Sequence, residues 1–130
     1  MDTSILAVAV AVVAAFVMSG VWYAAWGRSL GRLHPAYADG ASRPPGATVG
    51  VELVRNLVLT LVTAWLLSRM DVSTTAGGLG LGLLLWLGFP LVILSGSVFH
   101  ERVPAGLAAI HLGDWLLKLL AIPTILTVWA

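Results

Sequence analysis

Three ionisable side chains, His111, Asp114 and Lys118, lie within a long apolar stretch near the end of the chain. Their spacing of three and four residues places them on one face of an α-helix. A charged face is costly in lipid, so it normally turns towards other helices and finds partners there. Because histidine titrates near neutral pH, a carboxylate beside it is typical of a proton relay.

A second set of polar side chains, Glu52, Arg55 and Asn56, begins an earlier apolar stretch and continues along it as Thr60 and Thr63. At helical spacing these residues form one polar stripe. The charges of the two stretches balance, since their two carboxylates are matched by one guanidinium and one ammonium. The sequence therefore predicts one intramembrane polar cluster. Its members are Glu52, Arg55, Asn56, His111, Asp114 and Lys118.

The depth of these residues predicts which of them pair. If both helices start at the same face of the membrane, Arg55 and Asp114 lie within about one helical turn of each other. Their charges are opposite, so we expect an ion pair that joins the two helices. Lys118 is a second candidate partner, because it follows Asp114 by four residues on the same helix.

Other chemistry has weaker support. A metal site of Glu52, His111 and Asp114 would be rich in oxygen with one imidazole, and no ligand-spacing motif accompanies it. The chain has no cysteine, which excludes disulfides and thiol catalysis. Ser95 and Ser97 lack a nucleophile motif. We therefore expect no enzyme, no resident metal and no cofactor.

Two functions fit the polar cluster, and the sequence leaves both open. In the first, the chain is a small transport or proton-linked membrane module. In the second, it is a structural or accessory membrane subunit in which the charges only join helices. A water-filled cavity that reaches His111 favours the first function, whereas a dry, fully paired cluster favours the second.

Composition indicates the elements that hold this cluster. Of 130 residues, 59% are hydrophobic and 10% are charged, whereas a soluble domain has about 25% charged residues. The net charge of +1 gives no nucleic-acid footprint. We predict one all-α domain, residues 1–130, with four transmembrane helices in an antiparallel bundle within the lipid bilayer. The helices are predicted at 4–26, 48–68, 77–99 and 104–129, with a polar loop at 27–47.

Small residues and prolines indicate how the helices pack. Small side chains recur every four residues on two helices, which allows close approach of a neighbour. They are Ala7, Ala11, Ala15 and Ser19 on the first helix, and Gly78 and Gly82 on the third. Pro90 predicts a kink, Pro123 predicts a bend, and Pro104 suits the first position of its helix.

The polar loop and the aromatic residues before it suggest an interface. Trp22, Tyr23 and Trp26 form an aromatic cluster of the kind that lies at headgroup level. Within the loop we expect a short turn at Leu30–Leu33 and a solvated His34. The breaker at Pro44-Pro45-Gly46 is expected to precede the second helix.

The distribution of arginines predicts the orientation. Arg28, Arg32, Arg43 and Arg102 fall in loops on one side of the membrane, and Arg69 alone falls on the other side. By the positive-inside rule the first side is cytoplasmic, so both termini lie outside the cytoplasm of a multi-pass protein of the cell membrane. Four helices are few to enclose a pathway, so we expect a homo-oligomer.

The chain resembles the small bacterial membrane proteins grouped as domain of unknown function 1761. Three segments carry the resemblance, and they cover nearly the whole length. They are Ala15–Tyr23, Gly82–Phe89, and Glu101–Pro104 leading into Ile110–Asp114. The resemblance implies a four-helix membrane domain without an assigned reaction, so no catalytic residue is carried over. This chain departs from the family pattern in having Asp114 and Lys118.

Overall fold

A computed structural model of the chain describes residues 3–38 and 44–129, and this part of the chain contains helices and turns but no β-strand. The predicted all-α class is therefore confirmed. The helices are α1 (Ile5–Ala25), α2 (Gly27–Leu33), a 3-10 turn (Pro35–Tyr37), α3 (Pro45–Arg69), α4 (Thr75–Gly88), α5 (Pro90–Glu101) and α6 (Ala105–Val128).

Four segments of the described chain are long and apolar enough to cross a membrane. They are Ile5–Ala25, Pro45–Arg69, Thr75–Glu101 and Ala105–Val128. Their outward faces expose large apolar side chains such as Val13, Val58 and Ile93. An apolar exterior of this extent matches lipid rather than water. The chain is thus a multi-pass membrane protein, and the predicted number of four spans is confirmed.

Helix α1 presents its small side chains to the rest of the chain. The hydroxyl of Ser4 caps the helix by accepting a hydrogen bond from the backbone N–H of Ala7. The predicted stripe from Ala7 to Ser19 forms the buried face of α1. Its alanines share one core with Leu67 of α3 and Ile122 of α6. The close approach that small side chains permit is therefore used inside the chain.

The segment after α1 is more helical than the predicted loop. Gly27–Leu33 forms α2, and its Leu30 is buried against the start of α6. Helix α3 begins at Pro45 rather than Thr48, because a proline in the first turn has no N–H that needs a helical partner. His34 is exposed, as predicted. Arg43 of the predicted loop lies outside the described residues.

The third span is broken in the middle. Helix α4 ends at Gly88, α5 begins at Pro90, and Phe89 lies between them with non-ideal dihedral angles. Proline removes one hydrogen bond of the helix and its ring clashes with the preceding turn. The kink predicted at Pro90 is confirmed.

Helix α4 lies unusually close to α6, because two glycines face it. A Cβ atom on Gly82 would collide with the backbone carbonyl of Leu119. A Cβ atom on Gly78 would lie 3.2 Å from the Cβ of Pro123. Further along, the indole Nε1 of Trp86 donates a 2.9 Å hydrogen bond to the carbonyl of Leu112. The packing surface predicted from the glycines is therefore confirmed.

Helix α6 is the centre of the arrangement. It contacts α1, α3, α4 and α5, while α1 and α3 also contact each other. Pro104 is its N-cap residue rather than its first helical residue, and the helix runs through Pro123 without interruption. The bend predicted at Pro123 stays a prediction. Near α2, the helices α1, α3 and α6 diverge around a cavity that contains the polar cluster. We name this side of the molecule the α2 end.

Candidate functional site

A buried ion pair lies halfway along α6. The Lys118 Nζ lies 3.0 Å from Asp114 Oδ2, and the two side chains are 4% and 6% exposed. The other carboxylate oxygen, Oδ1, accepts a hydrogen bond from the Ser19 hydroxyl of α1. Each oxygen of the carboxylate therefore has a partner, and the group also joins α1 to α6. The spacing of four residues predicted this pair as one of two alternatives.

The other predicted pair, Arg55 with Asp114, is wrong. Arg55 Nη1 instead lies 2.7 Å from Glu52 Oε1, three residues earlier on the same helix. The Arg55 side chain is 55% exposed, so it reaches away from the buried carboxylate. Asp114 is already occupied by Ser19 and Lys118. Two ion pairs within helices thus replace the expected pair between helices.

A hydrogen bond between a tyrosine and a histidine adjoins the ion pair. The Tyr23 hydroxyl and His111 Nδ1 are 2.6 Å apart. Because either group can donate, the direction depends on which ring nitrogen of the histidine carries its proton. Among the described residues, Nε2 of His111 has no hydrogen-bond partner. The imidazole is therefore held on one side and free on the other.

Next to Tyr23 on α1, Trp22 also joins α1 to α6. Its Nε1 donates a 2.8 Å hydrogen bond to the carbonyl of Ile110. The indole ring also covers Gly113, where a Cβ atom would overlap it. Trp22 and Tyr23 thus bind α6, and the interfacial position predicted for them stays a prediction. Trp26, at 41% exposure, is the member that remains open to the surroundings.

The polar groups surround a cavity of about 460 Å³ between α1, α3 and α6. We name it the α2-end cavity. It is lined by Phe16, Ser19, Gly20, Tyr23, Tyr37, Thr48, Val49, Glu52, Arg55, His111, Asp114 and Trp115. Four predicted cluster residues are therefore brought together around one space. They are Glu52, Arg55, His111 and Asp114.

The remaining two predicted residues lie elsewhere. Asn56 is 1% exposed and Lys118 is 3% exposed, and both line a separate crevice between α3 and α6. Thr60 and Thr63 continue the polar stripe as buried residues, so the predicted stripe does face the interior. The ion pair of Asp114 and Lys118 thus lies between the two spaces, with its carboxylate towards one and its ammonium towards the other.

Aromatic rings line the cavity at the α2 end. Tyr37, in the 3-10 turn, is nearly parallel to Tyr23 at a centroid distance of 6.5 Å and lies 6.4 Å from the His111 ring. Partial burial raises the pKa of the Tyr37 phenol above its ordinary value, and the Glu52 carboxylate raises it further. The phenol is therefore neutral at physiological pH and can donate a hydrogen bond into the cavity.

Sequence reasoning missed Ser19, Tyr23, Tyr37 and Trp115 as members of the site. Ser19 had a usable signal, since it ends the small-residue stripe and is its one hydroxyl. Tyr37 lies 14 residues after Tyr23, and helical spacing could not relate the two across the turn. Tyrosines are common at membrane interfaces, so the position of Tyr23 near the end of its span did not indicate its contact with His111.

The donor set does not favour a metal. Within residues 3–38 and 44–129, no group of three histidine, aspartate or glutamate side chains is close enough to hold an ion. The alternative site of Glu52, His111 and Asp114 is opposed by geometry, because Glu52 and Asp114 each have a cationic partner. The two serines considered as nucleophiles, Ser95 and Ser97, donate to backbone carbonyls of their own helix.

These features define a small four-span membrane protein with a polar cavity and a buried ion pair beside it. The profile of a family described as protein of unknown function (DUF1761) matches residues 6–127. The chain belongs to this family, which confirms the resemblance noted in the sequence. No curated protein and no solved structure matches the chain.

Proposed function

We propose that the protein is a small proton-linked transport module in which His111 exchanges protons with the α2-end cavity. The observation that supports this most is the cavity itself, which reaches His111 and Asp114 from the α2 end. A cavity of about 460 Å³ lies in the range of small-molecule sites. Ionisable groups that line a space inside a membrane domain are typical of proton and substrate pathways.

The geometry suggests how proton binding could change the helices. Tyr23 holds Nδ1 of His111, so a proton from the cavity would arrive at Nε2. The resulting imidazolium is a new positive charge one turn from Asp114, which already balances Lys118. Attraction to this charge would weaken the hold of Asp114 on Lys118 and on Ser19 of α1. Protonation is thereby coupled to the contact between α1 and α6.

The proposal includes no covalent reaction and no cofactor. The Ser19 hydroxyl donates to a carboxylate that is already paired with Lys118, which makes that carboxylate a weak base for activating a nucleophile. The chain also has no cysteine. A transport or structural role therefore fits the side chains better than an enzyme does.

A structural or accessory function is the second candidate. It is favoured by the pair of Asp114 and Lys118, which is almost fully buried and joins α1 to α6 through Ser19. Such a network can fix the register of helices without taking part in transport. Under this alternative the cavity would be a by-product of helix divergence.

Proton flux in proteoliposomes separates the two functions. With an imposed pH gradient, vesicles that contain the wild-type protein should lose the gradient faster than empty vesicles, and His111→Gln should abolish the difference. His100→Gln is the matched control, because His100 is exposed on α5 and lies outside the cavity. Equal flux in wild type and His111→Gln would exclude the proton role.

The orientation is part of the proposal, with the α2 end in the cytoplasm, both termini outside and the cell membrane as the location. It is supported by Arg28, Arg32 and Arg102 at that end, against Arg69 at the other. A cysteine at Ala41, outside the described residues, should react only from the cytoplasmic side, and one at Ser73 only from outside. Reaction of Ala41→Cys from outside would reverse the orientation.

Self-association also remains a proposal. The cavity lies within one chain, between α1, α3 and α6. Helices α4 and α5 pack on α6 and expose large apolar side chains such as Leu84, Phe89 and Ile93. A second copy could cover this face and complete a pathway that four spans enclose incompletely.

A further inference from the structure

The crevice between α3 and α6 that contains Asn56 and Lys118 is separate from the α2-end cavity, and the proposed transport function assigns no ligand to it. It has a volume of about 400 Å³. Its outer wall is the lipid-facing side of α3, where Val54, Val58 and Val62 are more than half exposed. The crevice therefore opens towards the acyl chains of the bilayer rather than towards water.

The inner end of the crevice is polar and incompletely bonded. Nδ2 of Asn56 has no hydrogen-bond partner, although the residue is 1% exposed. One turn further along α3, the hydroxyl of Thr60 is also buried without a partner. A buried donor without an acceptor costs about 1–3 kcal/mol, and an acceptor bound in the crevice would remove this cost at Asn56. Lys118 adds an ammonium whose Asp114 contact leaves further N–H donors.

The two spaces differ in their carboxylates. Glu52 and Asp114 line the α2-end cavity together with Arg55, and the crevice is lined by Arg55 and Lys118 with no carboxylate among its described residues. Cationic donors at one end and valines along the wall are complementary to an amphiphilic anion.

Depth distinguishes among such anions. Asn56 is the eleventh residue after Pro45, which places it about 17 Å from the start of α3. That is near the middle of a hydrocarbon core of about 30 Å, whereas phospholipid headgroups stay at its surface. A single-chain carboxylate has a head small enough to reach this depth.

We propose that the crevice binds a long-chain fatty acid. Its carboxylate accepts hydrogen bonds from Asn56 Nδ2 and Lys118 Nζ, and its alkyl chain lies along Val54, Val58 and Val62. Trp115 forms the wall on α6.

Binding is tested with oleate on the detergent-solubilised full chain. Oleate should raise the melting temperature of the wild-type protein in a saturable way, whereas oleyl alcohol and chloride should not. Asn56→Leu should weaken oleate binding about tenfold, because one hydrogen bond to a charged group is lost. Thr63→Val is the matched control and should bind oleate normally, since Thr63 is buried on the same helix face but bonds the Leu59 carbonyl.

A second measurement does not depend on melting. A fatty acid brominated in mid-chain should quench the fluorescence of the wild-type protein, and Trp115→Phe should lose most of that quenching because Trp115 lines the crevice. Equal shifts with oleyl alcohol, or unchanged oleate affinity in Asn56→Leu, would overturn the proposal. Quenching that is the same in Trp115→Phe would place the fatty acid elsewhere.

Discussion

At the scale of residues, two neighbouring groups on α6 have different tasks. Asp114 has a partner on each oxygen and is almost inaccessible, so its charge mainly holds helices together. His111 has one nitrogen held by Tyr23 and lines the cavity. In the proposed transport function the group that exchanges protons is therefore the histidine, and the carboxylate acts on it as a nearby fixed charge.

The pairing of Asp114 makes a stability prediction. Asp114→Leu should lower the free energy of unfolding by about 3–5 kcal/mol, because Lys118 would keep a buried charge without its partner. Adding Lys118→Met should recover much of the loss, since apolar replacement of a whole buried pair is often neutral. Unfolding in detergent measures both variants.

Arg55→Met provides the control for this cycle. Because Arg55 pairs with Glu52 and is largely exposed, its effect should add to that of Asp114→Leu without coupling. A larger coupling energy for Arg55 than for Lys118 would restore the pair between helices that the sequence had predicted.

At the scale of elements, the contact between α4 and α6 depends on the absence of side chains. Gly82 lies against the backbone of Leu119, whereas Gly80, two residues earlier on α4, has no neighbour within 4 Å of an added Cβ. The same helix thus offers one glycine that packing requires and one that it does not.

Alanine at these two glycines should have opposite effects. Gly82→Ala should destabilise the protein by about 1–3 kcal/mol, because the added methyl group overpacks a tight contact. Gly80→Ala should be neutral or stabilising by up to about 1 kcal/mol, since alanine favours the helix more than glycine does. Equal melting temperatures for the two variants would show that α4 does not approach α6 as closely as described.

The sequence predicted the transmembrane helices better than it predicted the side-chain contacts around the cavity. Span length and apolar composition fix four crossings, and proline chemistry fixes the kink at Pro90, so local sequence was sufficient for both. The start of α3 at Pro45 was missed because the breaker was interpreted as loop, although proline is accepted in a first turn.

The direction in which Arg55 extends explains why its pair with Asp114 was predicted wrongly. Depth along the membrane placed Arg55 and Asp114 together correctly, since both line one cavity. The pair of Arg55 with Glu52 was readable at a spacing of three residues on one helix. Depth could not show that Arg55 turns outwards, because that depends on the rotation of α3 about its axis. Ser19 and Tyr23 entered the site for the same reason, through the rotation of α1.

At the scale of the whole molecule, the protein is asymmetric between its two ends. At the α2 end, helices α1, α3 and α6 enclose a polar cavity. Towards the other end, the alanines of α1 with Leu67, Ile122 and Leu126 form an apolar core. A polar cavity at one end and an apolar core towards the other fit the proposed transport function.

The most direct test of this account is whether water reaches the α2-end cavity. The chain has no native cysteine, so single cysteines can be introduced without interference. Gly20 lines the cavity with open space around an added side chain, and Val21 lies at the same depth but is 65% exposed on the apolar exterior. In lipid nanodiscs, Gly20→Cys should react with a membrane-impermeant maleimide, and Val21→Cys should not. Failure of Gly20→Cys to react, or equal reaction at both positions, would contradict a hydrated cavity and leave the structural role.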